Sequence, residues 1–361
     1  MRKNARLLAA SIAALSLFAA ACGGDDSGST NESACSTPPS ESTISDTATP
    51  GEATTSDVVA GVAFDTGGRG DGTFNDSAAT GGERAASELG VEIKELEANA
   101  DEDRKANLEL LAGDGAKVIV GVGFMFTDPM TEVAAANPDI QFGIVDSVVE
   151  APNVSSLLFA ANEGSFLVGA AAALKSKTGQ IGFIGGQEID LIKAFEAGYT
   201  AGAKYINKDI VVEVKYLGPA GDNSAWSNVA GAKEIAAGWY AAGADVIYTA
   251  AGGSGAGTIE AAVESKNCAI GVDSDQFLTA SDDAQKAAIL TSMIKRVDVA
   301  VFETIKASVE GDTSGGIKMF DLSNDGVGYA TSGGRVDDIA GQLDEIKAKI
   351  VAGEIEVPSM P

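Results

Sequence analysis

The chain has 361 residues, with 25 lysines and arginines against 52 aspartates and glutamates, and no histidine. A formal charge of −27 argues against nucleic acid and anionic lipid as partners. The missing histidine removes Ser-His-Asp and Cys-His catalysis, histidine metal sites and histidine proton switching, and the length predicts two domains, each with a sizeable core.

The first segment, MRKNARLLAASIAALSLFAAAC, sets Arg2, Lys3 and Arg6 ahead of an apolar run from Leu7 to Ala21. That run is shorter than the roughly 20 residues a bilayer span needs, so residues 1–21 read as a signal peptide. Small residues before Cys22 resemble a lipobox, with Ala19 where leucine is usual, and Cys22 is expected to carry the lipid. Residues 22–57 contain 18 Ser, Thr or Pro among 36, with seven acids and no Lys or Arg. Such a stretch cannot bury enough apolar surface to fold, and it reads as a disordered tether that stands a folded body off a membrane. Cleavage at Cys22 removes three bases and no acid, leaving 22 against 52, or −30. Cys35 lies in the tether and Cys268 precedes an apolar strand. An oxidising compartment would permit a bridge between them, but the preferred reading is a free, buried Cys268.

From Val58 onward, short β-rich runs alternate with longer amphipathic ones, the pattern of an α/β fold with a parallel sheet covered by helices. The pattern predicts strands at 58–65 (VVAGVAFD), 91–97, 117–124 and 141–147, and helices near 76–89, 103–112 and 129–136, the last with Pro129 in its first turn. A small-residue helix near 162–176 precedes a second set of strands at 180–186, 210–217, 244–250 and 268–274. Two such sets predict two Rossmann-like lobes. An apolar run at 287–294, a helix from Lys295 to about Val309, the segment GIKMFDL at 316–322 and a helix near 336–351 complete the chain. The expected division is 58–161 with 293–316 for the first lobe and 162–292 with 317–361 for the second.

Open parallel sheets bind ligands outside the carboxyl ends of their strands. Those ends carry Asp65, Phe124, Asp146, Gly185, Gly186, Gly252, Gly253 and Asp273. Aspartates closing three separate strands fit a cleft in which carboxylates accept from a hydroxyl-rich ligand; the plainer reading is that they cap the following helices. The glycine-rich loop before the first helix does not match a phosphate fingerprint. GDGTFN, from Gly70, has Asn75 where the third glycine of G-x-G-x-x-G belongs, and no G-x-x-x-x-G-K-[ST] occurs in the chain. The loop offers Phe74 and Asn75, a flat apolar face beside a donor and acceptor, unless Phe74 packs as a staple and Asn75 serves as N-cap. In the second set Trp226 precedes a helix as Phe74 does in the first, so one aromatic from each lobe could close on a planar ring.

These residues fall within DTGGRGDGTFNDSAATGG, IVDS with PNVSSLLFAANEGSFLVGAAAAL, IGFIGGQEIDLIKAFEAGYTAGA, GADVIYTAAGGSGAGTIEAA, IGVDSDQ and TSMIKRVD. Together, and in this order, they resemble the basic membrane protein (BMP) family of ABC-transporter substrate-binding lipoproteins, which includes purine nucleoside receptors. The resemblance runs from about Val58 to Pro361. It implies a type I periplasmic-binding-protein fold, two lobes joined by a three-crossover hinge, no enzymatic activity or cofactor, and delivery of a nucleoside to a permease. Asp65 and Asn75 match positions that bond the base or sugar, Phe74 the stacking aromatic, and Asp146 a carboxylate facing the base. Trp226 falls where the family usually has phenylalanine. Gly253, or Gly252, matches a backbone contact, Asp273 the ribose-binding aspartate, and Lys295 the lysine that closes the site. A monomer tethered outside the membrane by Cys22 is expected. Two alternatives remain at this stage: a binding protein feeding a sugar or other signal to a sensor kinase, and a calcium-dependent nucleoside hydrolase. The second is disfavoured because Asp65 is followed by Thr-Gly-Gly and the next acid is Asp71.

Overall fold

The computed structural model describes Cys35 and residues 56–361; the expected signal peptide, the Cys22 anchor and the remainder of the tether lie outside the described residues. The chain opens with β1 (Val59–Phe64), α1 (Phe74–Leu89), β2 (Glu92–Glu97), α2 (Asp101–Gly113), β3 (Val118–Gly121), α3 (Thr127–Ala136), β4 (Gln141–Val145) and β5 (Val154–Phe159). After α4 (Ala161–Lys175) the rhythm repeats as β6 (Gln180–Glu188), α5 (Asp190–Ile206), β7 (Val211–Pro219), α6 (Val229–Ala242), β8 (Val246–Ala250), α7 (Gly255–Ser265) and β9 (Cys268–Asp273). Two short helices, α8 (Gln276–Thr279) and α9 (Asp283–Ala288), lead into β10 (Ile289–Lys295), α10 (Val297–Val309), β11 (Gly316–Phe320), β12 (Val327–Tyr329) and α11 (Ala340–Val351).

The strands form two six-stranded sheets, in the orders β11-β5-β4-β3-β1-β2 and β12-β10-β9-β8-β6-β7. All neighbours pair in parallel except β12, which runs antiparallel to β10. The central strands β1, β3, β4, β8 and β9 are buried almost throughout, as expected where helices cover both faces of a parallel sheet, so they read as continuous apolar runs. The chain passes between the sheets three times: at Ala160 after β5, at Arg296 after β10 and at Asp321 after β11. Because β10 pairs with β9, and β11 with β5, the second and third crossovers lie a few residues beyond the expected boundaries at 292/293 and 316/317.

The second lobe depends on a very close helix crossing. A Cβ on Gly198 of α5 would lie 2.0 Å from the Asn162 carbonyl oxygen, and one on Gly202 would lie 2.0 Å from that of Phe166, both on α4. Gly169 returns the contact, 2.1 Å from the Tyr199 carbonyl. The small-residue stretches of α4 and α5 are therefore backbone-to-backbone packing surfaces, and any side chain at these glycines would force the helices apart.

Cys268 is not free. It is bonded to Cys35, with the two Cα atoms 5.4 Å apart and 233 residues between them in sequence. Sequence favours a lone buried thiol because a partner in a Ser/Thr/Pro-rich segment carries no packing signal; the bridge sets Cys35 against the first residue of β9. A native bridge of this kind typically contributes about 2 to 4 kcal/mol. Limited digestion with a broad-specificity protease that cuts between Cys35 and Ser56 should leave the two fragments together on a non-reducing gel and separate them on a reducing one. Separation without reductant would show that the bridge does not form.

Candidate functional site

The carboxyl ends of β1, β3, β4, β8, β9 and β10, with the first turns of α5, meet around a cavity of about 350 Å³ between the two sheets. That volume lies in the usual range for small-molecule sites. The nine residues matched to binding positions all line it, namely Asp65, Phe74, Asn75, Asp146, Trp226, Gly252, Gly253, Asp273 and Lys295, whereas Gly185 and Gly186, also picked out at a strand end, do not.

The glycine-rich loop is a left-handed path, with Gly67, Gly68, Gly70 and Gly72 all at positive φ. It is already filled with negative charge. Asp71 accepts from the backbone N–H groups of Thr73 and Asn75 at 2.9 Å and of Asp76 at 3.2 Å, and Asp76 accepts from those of Gly70 at 2.7 Å and Gly72 at 2.8 Å. The amides that would cradle a phosphate at the start of α1 are therefore occupied by carboxylates. Asp71 does the capping that the competing reading of the loop gives to Asn75. Asn75 lies within α1, where its side-chain Oδ1 accepts from the Asp65 N–H at 3.3 Å and its Nδ2 donates to Asp71 Oδ2 at 3.1 Å.

Asp65 is largely taken up by the protein. Its Oδ1 accepts from Arg104 Nε at 2.9 Å and Nη2 at 2.7 Å and from the Thr66 N–H at 2.7 Å, which leaves Oδ2 beside Gly123. Burial raises the Asp65 carboxyl above its usual range and the Arg104 guanidinium opposes that rise. Arg104 is only 3 % exposed and is not visible as a site residue in sequence, since DEDRK reads as a solvated first helical turn.

Asp146 and Asp273 hold equivalent places in the two lobes, directly after β4 and at the end of β9, and both have φ of 63°. Left-handed backbone at a non-glycine residue is strained, and its recurrence here turns both carboxylates out of their strands at the cleft. Asp146 forms an ion pair with Lys295, and both side chains are buried. Lys295 is the last residue of β10, not the start of a helix as the sequence pattern predicts. Its ammonium sits 4.7 Å from the ring centre of Phe74, 5.0 Å from Phe159 and 5.9 Å from Phe195, an aromatic surround that favours a cation.

Asp273 has no such partner, and its Oδ1 is buried without a hydrogen bond. Burial pushes its carboxyl up to about 7; Lys295 pulls against this, while Asp146 and Asp71 add to it. The apolar part of the cavity is formed by Phe74, Phe124, Leu191, Ile192, Phe195 and Trp226. Trp226 meets Phe124 edge to face, with centroids 6.4 Å apart. In sequence Phe124 is visible only as a strand end, and Phe195 is not singled out as a site residue.

Since the folded-state pKa of Asp273 is raised above its unfolded value of about 3.9, its contribution to stability is fully present below pH 4 and is lost as pH rises through about 7. Asn tolerates the same left-handed backbone, so Asp273→Asn should melt higher than wild type at pH 8, by on the order of 5 °C, and no higher at pH 4. Thermal unfolding of the unliganded protein at both pH values tests this, and a pH-independent difference would refute the buried, unpaired carboxylate.

The matches to known proteins cover the same residues that build this cleft. A family profile described as Bmp, ABC transporter substrate-binding protein PnrA-like, matches residues 58–360. The ABC transporter nucleoside-binding protein BmpA of Lactococcus lactis subsp. cremoris is 36% identical over 321 residues, spanning 84% of this chain and 90% of that protein. The CD4+ T-cell-stimulating antigen of Listeria monocytogenes is 36% identical over 327 residues, 84% of this chain and 89% of that one. Among solved structures, an ABC transporter system solute-binding protein from Aeropyrum pernix K1 superposes with a TM-score of 0.71 at 29% identity, covering 83% of this chain and 94% of its own. With two parallel-dominant sheets, three crossovers and a cleft at their strand ends, the chain has the type I periplasmic-binding-protein fold and belongs to the Bmp, PnrA-like family of ABC transporter substrate-binding proteins.

Proposed function

We propose that the cleft binds a nucleoside and that the closed protein presents it to the permease of an ABC transporter. The observation that carries this reading is that Phe74 from the first lobe and Trp226 from the second line one cavity whose polar side holds Asp273 and the Asp146–Lys295 pair. A planar base fits between aromatic faces, at roughly 1 to 3 kcal/mol per stacked base. A vicinal diol supplies two donors to Asp273, whose Oδ1 lacks one. The lactococcal relative, named as a nucleoside-binding protein, supports the same class. A neutral ligand is favoured over a nucleotide, because Asp71 and Asp273 would face its phosphate while Lys295, the lysine lining the cavity, is already paired with Asp146. A purine is favoured over a pyrimidine by the resemblance to purine nucleoside receptors.

The two carboxylates nearest the cleft's ion pairs, Asp65 and Asp146, are each held by a cation, which argues against the hydrolase alternative, where both would gather on one metal. The Cys35–Cys268 bridge fits an oxidising, extracytoplasmic location, and with a lipid on Cys22 the body would be held at the membrane by acyl chains. No helix among the described residues is long and apolar enough to cross a membrane.

The test is a thermal-shift panel on the full chain in detergent, with purine and pyrimidine nucleosides, free bases, nucleotides and simple sugars. A nucleoside at 100 times its Kd should add about 2.7 kcal/mol and raise the midpoint, while nucleotides and sugars leave it unchanged. Stabilisation by sugars alone would overturn the reading. Phe74→Ala and Trp226→Ala should each weaken nucleoside binding about 10-fold or more by calorimetry. Wild-type affinity in either would dismiss the stacking arrangement.

A further inference from the structure

The two lobes touch at a polar bridge beside the cleft that is built in advance on each side. In the first lobe Asp101 begins α2, and its Oδ1 accepts from Arg104 Nη1 at 2.7 Å. The same guanidinium holds Asp65 at the cavity wall through its other two nitrogens. In the second lobe Gln187, at the end of β6 and 1 % exposed, uses both ends of its amide on one loop. Its Oε1 accepts from the Gly221 N–H at 2.8 Å, and its Nε2 donates to Asn223 Oδ1 at 3.0 Å. With Asn223 Oδ1 occupied, its Nδ2 faces outward and donates to Asp101 Oδ1 at 2.9 Å across the gap between lobes. Asn223 opens the short 3-10 turn Asn223–Trp226 that carries the cleft's tryptophan.

We propose that Asp101, fixed by Arg104, and Asn223, fixed by Gln187, form a closure latch that holds Trp226 over the bound ligand, so that these four are positioning residues for ligand retention. Each half is oriented inside its own lobe before the lobes meet, so forming the contact orders little that is not already ordered. Asp101 is an acceptor only, and it sits at a helix N-terminus that favours its charge, which makes the interlobe bond charge-assisted. A second contact, from Ser274 Oγ to the Thr73 carbonyl at 2.8 Å, joins the residues next to Asp273 and Phe74. It lacks this two-sided support. The latch acts on escape rather than encounter, because an open cleft admits ligand without it.

This inference rests on the nucleoside reading only for the choice of ligand, so the test has two arms. Asn223→Asp places a carboxylate against Asp101 and should speed nucleoside release about 10-fold in stopped-flow tryptophan fluorescence, with the association rate unchanged. Asn223→Ala should act in the same direction but less. The exchanged pair Asp101→Asn with Asn223→Asp restores one donor and one acceptor, since the amide introduced on α2 can accept from Arg104 and donate to the carboxylate introduced opposite it. Release should then return to within about 3-fold of wild type. A purely structural role would not be rescued by the exchange. In the unliganded chain, hydrogen exchange of residues 219–228 should rise in Asn223→Asp and fall back in the exchanged pair. Absence of nucleoside binding by the wild type would sink the nucleoside reading while this second arm still decides the latch. Release and exchange unchanged in Asn223→Asp, or an exchanged pair no better than the single variant, would overturn the latch alone.

Discussion

Lys295 ends a strand of the second sheet, yet its ammonium pairs with Asp146, which follows a strand of the first. One residue later the chain crosses to the first lobe as α10. A buried cation joined to a buried anion has little freedom of position, because each is the other's compensation; removing either partner of such a pair typically costs about 3 to 5 kcal/mol by leaving one buried charge unpaired. The rings of Phe74, Phe159 and Phe195 surround the ammonium and come from α1, β5 and α5, so elements of both lobes are registered against one charge. The cleft's shape depends on this pair: Phe74 is at once a neighbour of the ion pair and a wall of the cavity.

The electrostatic inventory of the cleft is then nearly closed from within. Arg104 answers Asp65, Lys295 answers Asp146, and the backbone amides at the start of α1 answer Asp71 and Asp76. Asp273 is left with burial and no partner, which is why its carboxyl rises to about 7. A group that donates hydrogen bonds at that point favours the ionised carboxylate; one that brings negative charge there disfavours it. The cations at the cleft are thus already committed to its own carboxylates, so the polar side of the cavity is weighted toward acceptors.

Much of this is legible in the sequence. Buried parallel strands are apolar on both faces, so β1, β3, β4, β8 and β9 stand out as continuous runs whose last residues mark the cleft, and the aspartates there can be picked out without coordinates. What escapes is set by contacts between distant segments. Arg104 sits among acids on a helix that looks solvated, and only the fold turns it inward to Asp65, 39 residues away. Phe195 looks like a core residue of α5 because it is one, besides lining the cavity. The Cys35–Cys268 bridge joins a composition typical of unfolded chain to a strand start, and sequence holds no trace of that proximity. Strand β5 is absent from the predicted strands, since Ser155 and Ser156 interrupt its apolar pattern although both are buried.

The two lobes repeat one device and then treat it differently. Each puts an aspartate with φ of 63° at the carboxyl end of a central strand, and in each the carboxylate is turned into the cleft. Were both neutralised by lysines, or both left bare, the polar side of the site would present the same chemistry to either end of a ligand. Lys295 forms its ion pair with the first-lobe member and reaches the other only as a charge at a distance, so the pocket has one end with a fixed ion pair, able to donate and accept, and another that only accepts when ionised. A ligand with mixed donors and acceptors on one part and paired hydroxyls on another is oriented by that difference. The asymmetry arises from the crossover at Arg296, because the strand that delivers the lysine belongs to the second lobe but ends beside the first. The hinge connection thus both joins the lobes and supplies the charge that distinguishes the two ends of the cleft.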